Sequence, residues 1–293
     1  MSLSISAACL MCHFTRNMKK AQSLGDSETA MAFGKALMRM YLDAPEGISS
    51  PWYSPKVAEL FETYYGVGDD QYEEEKKQAN RFVMERFDRI RAMVQQAEDP
   101  VFAGLQFAIL GNYLDFAALQ ENVSFEKLEQ MLMEALEMDL DLQVYEALKA
   151  DLAKGKRLLY LTDNAGEIGM DRIFAEQIHK AYPRLEITFC VRGGITVNDA
   201  TREDAEIVGI PFPVIDNGNL VSGTELSMLS EEAKAAMDSA DVIISKGMAN
   251  TETLYGSGYP IYYAFLVKCV RFVEAFGKPL MTPMLVKEPR LDR

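Results

Sequence analysis

Apolar residues recur at helical spacing in the first half of the chain. Between Lys56 and Gln96 they stand three or four positions apart in a charged background, which is typical of amphipathic helices. The apolar positions are Val57, Leu60, Phe61, Tyr64, Val83, Phe87, Ile90 and Val94. The glycines of Gly66–Asp70 interrupt the pattern, so it predicts two helices with a break between them.

Further helices are predicted between residues 101 and 153. Residues 101–119 are apolar on nearly every face, so we expect a buried helix there. Ser124 is a suitable N-terminal cap for a helix that runs to about residue 137, and residues 139–153 predict one more. Residues 1–150 are therefore predicted to form a helical N-terminal region.

The pattern changes near residue 155, where short β-rich runs begin to alternate with helical stretches. The predicted strands are Leu158–Leu161, Ile187–Val191, Val214–Ile215, Val242–Ser245, Tyr262–Val267 and Leu280–Met284. The predicted helices are Ile168–Tyr182, Asp199–Val208, Ser230–Ser239 and Asn250–Tyr255. Such alternation is typical of an α/β fold with a doubly wound, mostly parallel sheet, which we predict for residues 151–293.

The composition and net charge indicate a soluble globular protein that does not bind nucleic acid in general. The 293 residues are 48% hydrophobic and 25% charged, as in ordinary soluble globular proteins. A net charge of −14 argues against a general nucleic-acid binder, which needs a basic face. An anionic substrate remains compatible with this charge if a bound cation and one or two lysines set the local potential.

The sequence also carries expectations about where the protein works. No secretion signal and no run as long as a membrane span is apparent, and there are four cysteines. Few cysteines in a chain of this length are typical of a reducing cytoplasm. We therefore expect a cytoplasmic protein without membrane or nucleic-acid partners.

Three polar motifs each follow a predicted strand. Their notable residues are Asp163, Asn164 and Glu167; Arg192, Asn198 and Asp199; and Lys246, Asn250 and Glu252. Each motif alone is also typical of a helix cap or a turn. Parallel strands end at one edge of a sheet, however, so the three together predict a shared site. The oxygen ligands of Asp163 and Asn164 suit a hard cation there.

The combination resembles the damage-control phosphatases, a family first catalogued as the domain of unknown function DUF89. Asp171 follows Glu167 as in the family pattern, and Gly111-Asn112-Tyr-Leu-Asp115 matches its Gly-Asn-x-x-Asp segment. Cys9-Leu-Met-Cys12 resembles the Cys-x-x-Cys of the prokaryotic-type subfamily. These motifs stand in the expected order over nearly the whole chain.

The resemblance implies a fold, an activity and a set of site residues. The fold would be a three-layer α/β/α sandwich with a helical N-terminal region, and the activity the hydrolysis of sugar phosphates or damaged phosphometabolites. The implied metal ligands are Asp163, Asn164 and Asp199. The lysine that matches Lys246 would lie at the phosphate site, and Asn112 and Asp115 would face the substrate.

The chemistry of phosphate transfer agrees with these residues, because a departing phosphate needs charge neutralisation above all. Two carboxylates and an amide, with no histidine, favour Mg²⁺ or Mn²⁺ over Zn²⁺, with Co²⁺ and Ni²⁺ as further candidates. The predicted catalytic residues are Asp163, Asp199, Glu167 and Lys246. The predicted substrate-binding residues are Asn112, Asp115, Arg192, Asn198, Lys246, Asn250 and Glu252. Metal-activated water and a carboxylate nucleophile are both compatible with this set.

Two other functions stay open at this stage. A methyltransferase that uses S-adenosylmethionine would share the fold class, although the sequence has no Gly-x-Gly-x-x-Gly after the first predicted strand. A non-catalytic metal-binding protein, or a redox sensor that uses Cys9 and Cys12, would bind metal without turnover. The haloacid-dehalogenase phosphatases need Asp-x-Asp, and Ala165 occupies the second position here.

Overall fold

The computed structural model describes residues 3–112, 130 and 134–289, and these residues contain a six-stranded sheet. The strands are β1 (Arg157–Leu161), β2 (Glu186–Val191), β3 (Val214–Asp216), β4 (Val242–Lys246), β5 (Ile261–Leu266) and β6 (Pro283–Lys287). Their order across the sheet is β3-β2-β1-β4-β5-β6. All neighbouring strands are parallel except β5 and β6, which are antiparallel. The mostly parallel sheet confirms the predicted α/β class.

Helices surround this sheet and form the N-terminal region. They are α1 (Ala7–Leu24), α2 (Ser27–Leu42), α3 (Ser54–Tyr65), α4 (Glu73–Gln96), α5 (Pro100–Gly111), α6 (Leu142–Lys154), α7 (Glu167–Ala181), α8 (Arg202–Ile207), α9 (Glu231–Ser239), α10 (Gly247–Leu254) and α11 (Val270–Phe276). Short 3₁₀ turns lie at Ser50–Tyr53, Asp69–Tyr72, Ala135–Glu137 and Leu226–Met228. None of the helices in the described part of the chain has the length and apolar character that a membrane span requires.

Alternate residues of β1 enter two different cores, because successive side chains of a strand point to opposite faces. Leu158 and Tyr160 belong to the largest core cluster, with side chains from α4, α5 and α7. Leu159 and Leu161 belong to a second cluster, with side chains from α9, α10 and α11. Helices therefore cover both faces of the sheet, which gives the three-layer arrangement.

The largest core cluster crosses the predicted boundary at residue 150. It contains Val83 and Phe107 from the helical region and Phe189 from the sheet. A buried polar contact adds to this packing, since Asn80 Oδ1 of α4 accepts from the backbone N–H of Gly166 at 2.7 Å. Helix α4 is thereby held against the loop that follows β1.

Several element boundaries differ from the sequence prediction. The last strand is Pro283–Lys287, three residues later than predicted. Helix α8 begins at Arg202 because Thr201 and Asp204 form a capping box, which leaves Asp199 in the preceding loop. Helix α10 begins at Gly247, earlier than the predicted Asn250.

The predicted helix over residues 101–119 is observed as α5 up to Gly111, and residues 113–119 lie outside the described part. Most of the helix predicted from Ser124 also lies outside it.

Candidate active site

A cavity of about 420 Å³ opens where the loops after β1, β2 and β4 meet the N-terminal helices. The strand order reverses direction between β1 and β4, which is where doubly wound sheets bind ligands. The predicted site residues that line the cavity are Asp163, Asn164, Asn198, Asp199 and Glu252. The three strand-end motifs thus contribute to one cavity.

Backbone contacts join the loops after β1 and β2. Asn164 and Asp199 form an isolated antiparallel bridge. The N–H of Ala165 donates to the carbonyl of Asn198 at 2.9 Å, and the N–H of Ala200 donates to the carbonyl of Asp163 at 2.7 Å. These bonds fix the three candidate metal ligands relative to one another.

Two side-chain amides hold Asp163 and Glu167 together. Asn112 Nδ2 donates to Asp163 Oδ2 at 2.8 Å and to Glu167 Oε2 at 3.1 Å. Asn164 Nδ2 donates to the same two oxygens at 2.8 and 2.9 Å. Each amide nitrogen therefore bridges two carboxylates that would otherwise repel one another.

Lys246 lies beneath the cavity and does not line it. Its side chain is fully buried, and Nζ donates to the carbonyl of Ala108 at 2.6 Å and to Glu167 Oε1 and Asp171 Oδ1 at 2.7 Å each. Tyr160 OH also donates to Asp171 Oδ1, at 2.7 Å. All three ammonium hydrogens are thus used inside the protein, whereas the sequence placed Lys246 at the phosphate.

We call Tyr160, Glu167, Asp171, Lys246 and Asn112 the polar floor, because all five side chains are completely buried beneath Asp163. Burial alone would lower the pKa of Lys246, but Asp171 and Glu167 raise it. Burial raises the pKa of Asp171 to about 7 despite the lowering effect of Lys246. The floor is a hydrogen-bonded charge network closed to solvent.

Asp199 is held by a different set of side chains. Arg192 Nε donates to Asp199 Oδ2 at 2.5 Å, and Ser222 Oγ donates to Oδ1 at 3.0 Å. Arg192 also donates to Asn250 Oδ1 at 3.2 Å. Arg192 and Asn250 are buried and do not line the cavity, so they hold Asp199 against the start of α10.

Gly247, the first residue of α10, contacts the carboxylate of Asp163. Its φ is +78°, and a Cβ built at this position would lie 1.9 Å from Asp163 Oδ2. No side chain fits there, so this glycine is required for both its backbone conformation and its lack of a side chain. The Lys-Gly motif thus places a helix start directly against the candidate ligand.

The donor set around Asp163 fits a hard cation. The Nδ2 of Asn164 faces two carboxylates, which leaves its Oδ1 as the atom that can bind a metal. Within residues 3–112, 130 and 134–289, no three His, Cys, Asp or Glu side chains are grouped so as to hold a metal ion. A site at Asp163 and Asp199 therefore needs the Asn164 amide, and oxygen ligands of this kind suit Mg²⁺ or Mn²⁺.

One face of α1 also lines the cavity, which the sequence did not predict. His13, Arg16, Asn17 and Lys20 are spaced along one helix face and all line the cavity; we call them the α1 wall. Lys268, which follows β5, also lines it. Helical spacing alone could have grouped the wall residues, but nothing in the sequence indicates which surface that face meets.

The sequence singled out four further residues. Glu252 lines the cavity, and burial raises its pKa to about 7, with Arg271 and Arg16 opposing this effect. Asp115 lies outside the described residues. Cys9 and Cys12 are free thiols near the start of α1, half-buried and exposed respectively.

The chain is similar to several known proteins. A sequence profile of the damage-control phosphatase ARMT1-like domain matches residues 5–282. An uncharacterized protein of Methanocaldococcus jannaschii is 31% identical over 98% of this chain and 96% of its own length. A damage-control phosphatase of Archaeoglobus fulgidus is 33% identical over 71% of this chain and 73% of its own length.

A solved structure extends the likeness to the fold. The crystal structure of a DUF89 family protein from Pyrococcus horikoshii superimposes with a TM-score of 0.83 at 24% identity, over 97% of this chain and 99% of that one. The fold agrees with the predicted three-layer arrangement, and the family expectation drawn from the sequence is confirmed. The chain belongs to the damage-control phosphatase ARMT1-like domain family.

Proposed function

We propose that this protein is a metal-dependent phosphatase that hydrolyses a small phosphorylated metabolite, a sugar phosphate or a damaged phosphometabolite. The family supports the phosphatase activity. The observation that carries the metal requirement is the convergence of Asp163, Asn164 and Asp199 on one cavity, with their backbones joined by a bridge.

The charges that line the cavity support a metal cofactor. The cations are Arg16, Lys20 and Lys268, and the carboxylates are Asp69, Glu75, Asp163, Asp199 and Glu252. Carboxylates therefore outnumber cations among the lining residues, so these side chains alone do not favour a phosphate dianion. A divalent cation at Asp163, Asn164 and Asp199 would reverse the local potential.

Asp163, Asp199 and the Oδ1 of Asn164 would hold the cation. When bound, it would act as a Lewis acid toward the phosphoryl oxygens. Mg²⁺ or Mn²⁺ fits the oxygen ligands best, with Co²⁺ and Ni²⁺ as alternatives. Lys268 lines the cavity, so it is better placed than the buried Lys246 to face the phosphate.

The polar floor would position the ligands without contacting the substrate. Lys246 holds Glu167 Oε1, and Glu167 Oε2 in turn holds the amides of Asn112 and Asn164. These amides fix one oxygen of Asp163 and orient Asn164. Asn112, Glu167 and Lys246 would therefore be positioning residues, and the activation of water or direct attack would fall to Asp163 or Asp199.

We further propose that the chain belongs to the prokaryotic-type subfamily with an N-terminal Cys-x-x-Cys. Cys9 and Cys12 are three residues apart on α1, the helix whose later turns line the cavity. All four cysteines are free, which favours a reducing compartment such as the cytoplasm.

Phosphate release tests this function. Chelator-treated protein is assayed with p-nitrophenyl phosphate and a panel of sugar phosphates, after addition of Mg²⁺, Mn²⁺, Co²⁺ or Ni²⁺ in turn. We expect turnover only with added metal, and a loss of about a hundredfold or more in Asp163→Ala, because a ligand of the cation is removed. Calorimetric titration of Mn²⁺ into the same variant should show weakened binding.

The alternatives predict other outcomes. Tight metal binding without turnover on any compound would favour a binding or sensor protein, for which Cys9→Ser would be the informative variant. Binding of S-adenosylmethionine without a metal requirement would favour a methyltransferase. Turnover in Asp163→Ala at the wild-type rate would remove this residue from the metal site.

A further inference from the structure

The α1 wall lines the same cavity as the candidate metal ligands, and three of its four side chains already have partners. His13 Nδ1 lies 2.6 Å from Tyr41 OH, and Asn17 Nδ2 donates to the carbonyl of His13 at 2.8 Å. Lys20 Nζ donates to Tyr72 OH at 3.3 Å. These contacts hold the wall as a preformed surface.

Arg16 differs from its neighbours on the wall. Its side chain is exposed, and it has no hydrogen bond or ion pair among residues 3–112, 130 and 134–289. It nevertheless lines the same cavity as Asp163 and Asp199. A guanidinium at the mouth of an acidic cavity, with its donors available, is suited to a planar anion.

The charges of the other groups near Arg16 are partly neutralised. Asp69 and Lys20 attract one another. The pKa of Glu252 is raised to about 7 by burial, and Arg271 and Arg16 oppose this effect. Burial and Arg16 lower the pKa of His13 to about 4, so the imidazole is neutral at pH 7 and does not compete for an anion.

The cavity is also larger than a phosphate requires. Its volume of about 420 Å³ is within the range of pockets that bind whole metabolites. A substrate whose phosphate lies at Asp163 and Asp199 would therefore extend toward α1.

We propose that Arg16 binds a second anionic group, a carboxylate or another phosphate, on the part of the substrate that is not hydrolysed. The preferred substrates would then be doubly anionic phosphometabolites, such as sugar bisphosphates and phosphorylated carboxylic acids. Arg16 would determine specificity and would not contact the reacting atoms. This inference rests on the proposed function.

Matched substrate pairs test it. Glycerol 3-phosphate and 3-phosphoglycerate differ chiefly in a carboxylate, as do glucitol 6-phosphate and 6-phosphogluconate. In the metal-loaded wild-type protein, kcat/KM should be about tenfold higher for the acid of at least one pair, because a paired charge strengthens binding. Arg16→Gln should reduce that ratio about tenfold, mainly through KM. Lys19→Gln, an equal charge change on an exposed residue of α1 that does not line the cavity, should leave the ratio unchanged.

The inference would be overturned if the wild-type kcat/KM were nearly the same for the two members of each pair. It would also be overturned if Arg16→Gln reduced kcat/KM equally for the acid and for the partner without a carboxylate. An absence of turnover on every compound with every metal would instead refute the proposed function. In that case calorimetric binding of 3-phosphoglycerate and glycerol 3-phosphate decides the role of Arg16. Selective binding of the acid that is lost in Arg16→Gln would support the inference, and equal binding would reject it.

Discussion

The polar floor lies beneath the cavity and the α1 wall lines it, and the two are built in opposite ways. The floor is completely buried, and Lys246 makes three hydrogen bonds of 2.6–2.7 Å within the protein. The wall includes an exposed Arg16 without an ion-pair partner among the described residues. Preorganised, dry groups fix geometry, whereas solvent-accessible charges remain available to a ligand. This difference supports our proposals that the floor positions the ligands and that the wall selects the substrate.

The largest expected effect comes from breaking the floor. Lys246→Met leaves Glu167 and Asp171 buried without their cation, which we expect to cost about 3–5 kcal/mol of unfolding free energy. Urea denaturation measures this loss. Lys287→Met is the matched control, because Lys287 pairs with Asp151 at 2.7 Å but both side chains are more than a third exposed.

The control should lose less than about 1 kcal/mol, since exposed ion pairs contribute little. Equal losses in the two lysine variants would show that the floor is no more than an ordinary set of ion pairs.

A substitution at Gly247 is expected to change stability less than Lys246→Met does, but to reduce activity sharply. Gly247→Ala forces a Cβ against Asp163 Oδ2, so that the carboxylate must move. We expect phosphatase activity to fall about a hundredfold, because small displacements of catalytic groups are costly. Gly66→Ala is the control: its φ is +65°, and nothing lies within 4 Å of the added Cβ.

Gly66→Ala should cost about 1–2 kcal/mol of stability from backbone strain, with activity retained. If both glycine variants kept activity, contact between Gly247 and Asp163 would not matter to the site.

The smallest expected effect is a dependence of KM on pH. Because the pKa of Glu252 is raised to about 7, this carboxyl is mostly neutral at pH 6 and mostly ionised at pH 8. Its ionisation adds a negative charge beside the substrate, so KM should rise about two- to fivefold across this range. The rise should be absent in Glu252→Gln, in which the side chain cannot ionise.

Comparison of the two proteins with one substrate removes the contribution of the ionisation of the phosphate itself. Superimposable pH profiles would place Glu252 too far from the bound phosphate to influence it.

The sequence predicted the sheet side of the site better than the helical side. Leu158–Leu161 and Val242–Ser245 were recognisable as buried strands because they are short apolar runs, and parallel strands must end at one edge. That rule brought Asp163, Asp199 and the Lys-Gly motif together. The capping box that moved the start of α8 to Arg202 was visible as Thr201 and Asp204, but it competed with a longer helical pattern.

The sequence did not predict which site side chains are buried or how distant elements pack together. The motif around Lys246 indicates a strand end, but not that the side chain turns inward to Glu167 and Asp171. Periodicity gives the face of α1 that carries Arg16 and Lys20, but the partner of that face depends on how helices pack onto the sheet. Those contacts join residues far apart in the chain, and single-sequence patterns carry no information on them.

The bonds that close the floor also determine when the site can exist during synthesis. Lys246 reaches the carbonyl of Ala108, 138 residues earlier, and the N–H of Leu266 reaches Asn112 Oδ1 across 154 residues. A nascent chain that has emerged only as far as Asp163 therefore has its first ligand but neither of these contacts. Non-local contacts of this kind form late and slow folding. The growing polypeptide would thus complete the proposed cation site only after β4 and β5 have emerged.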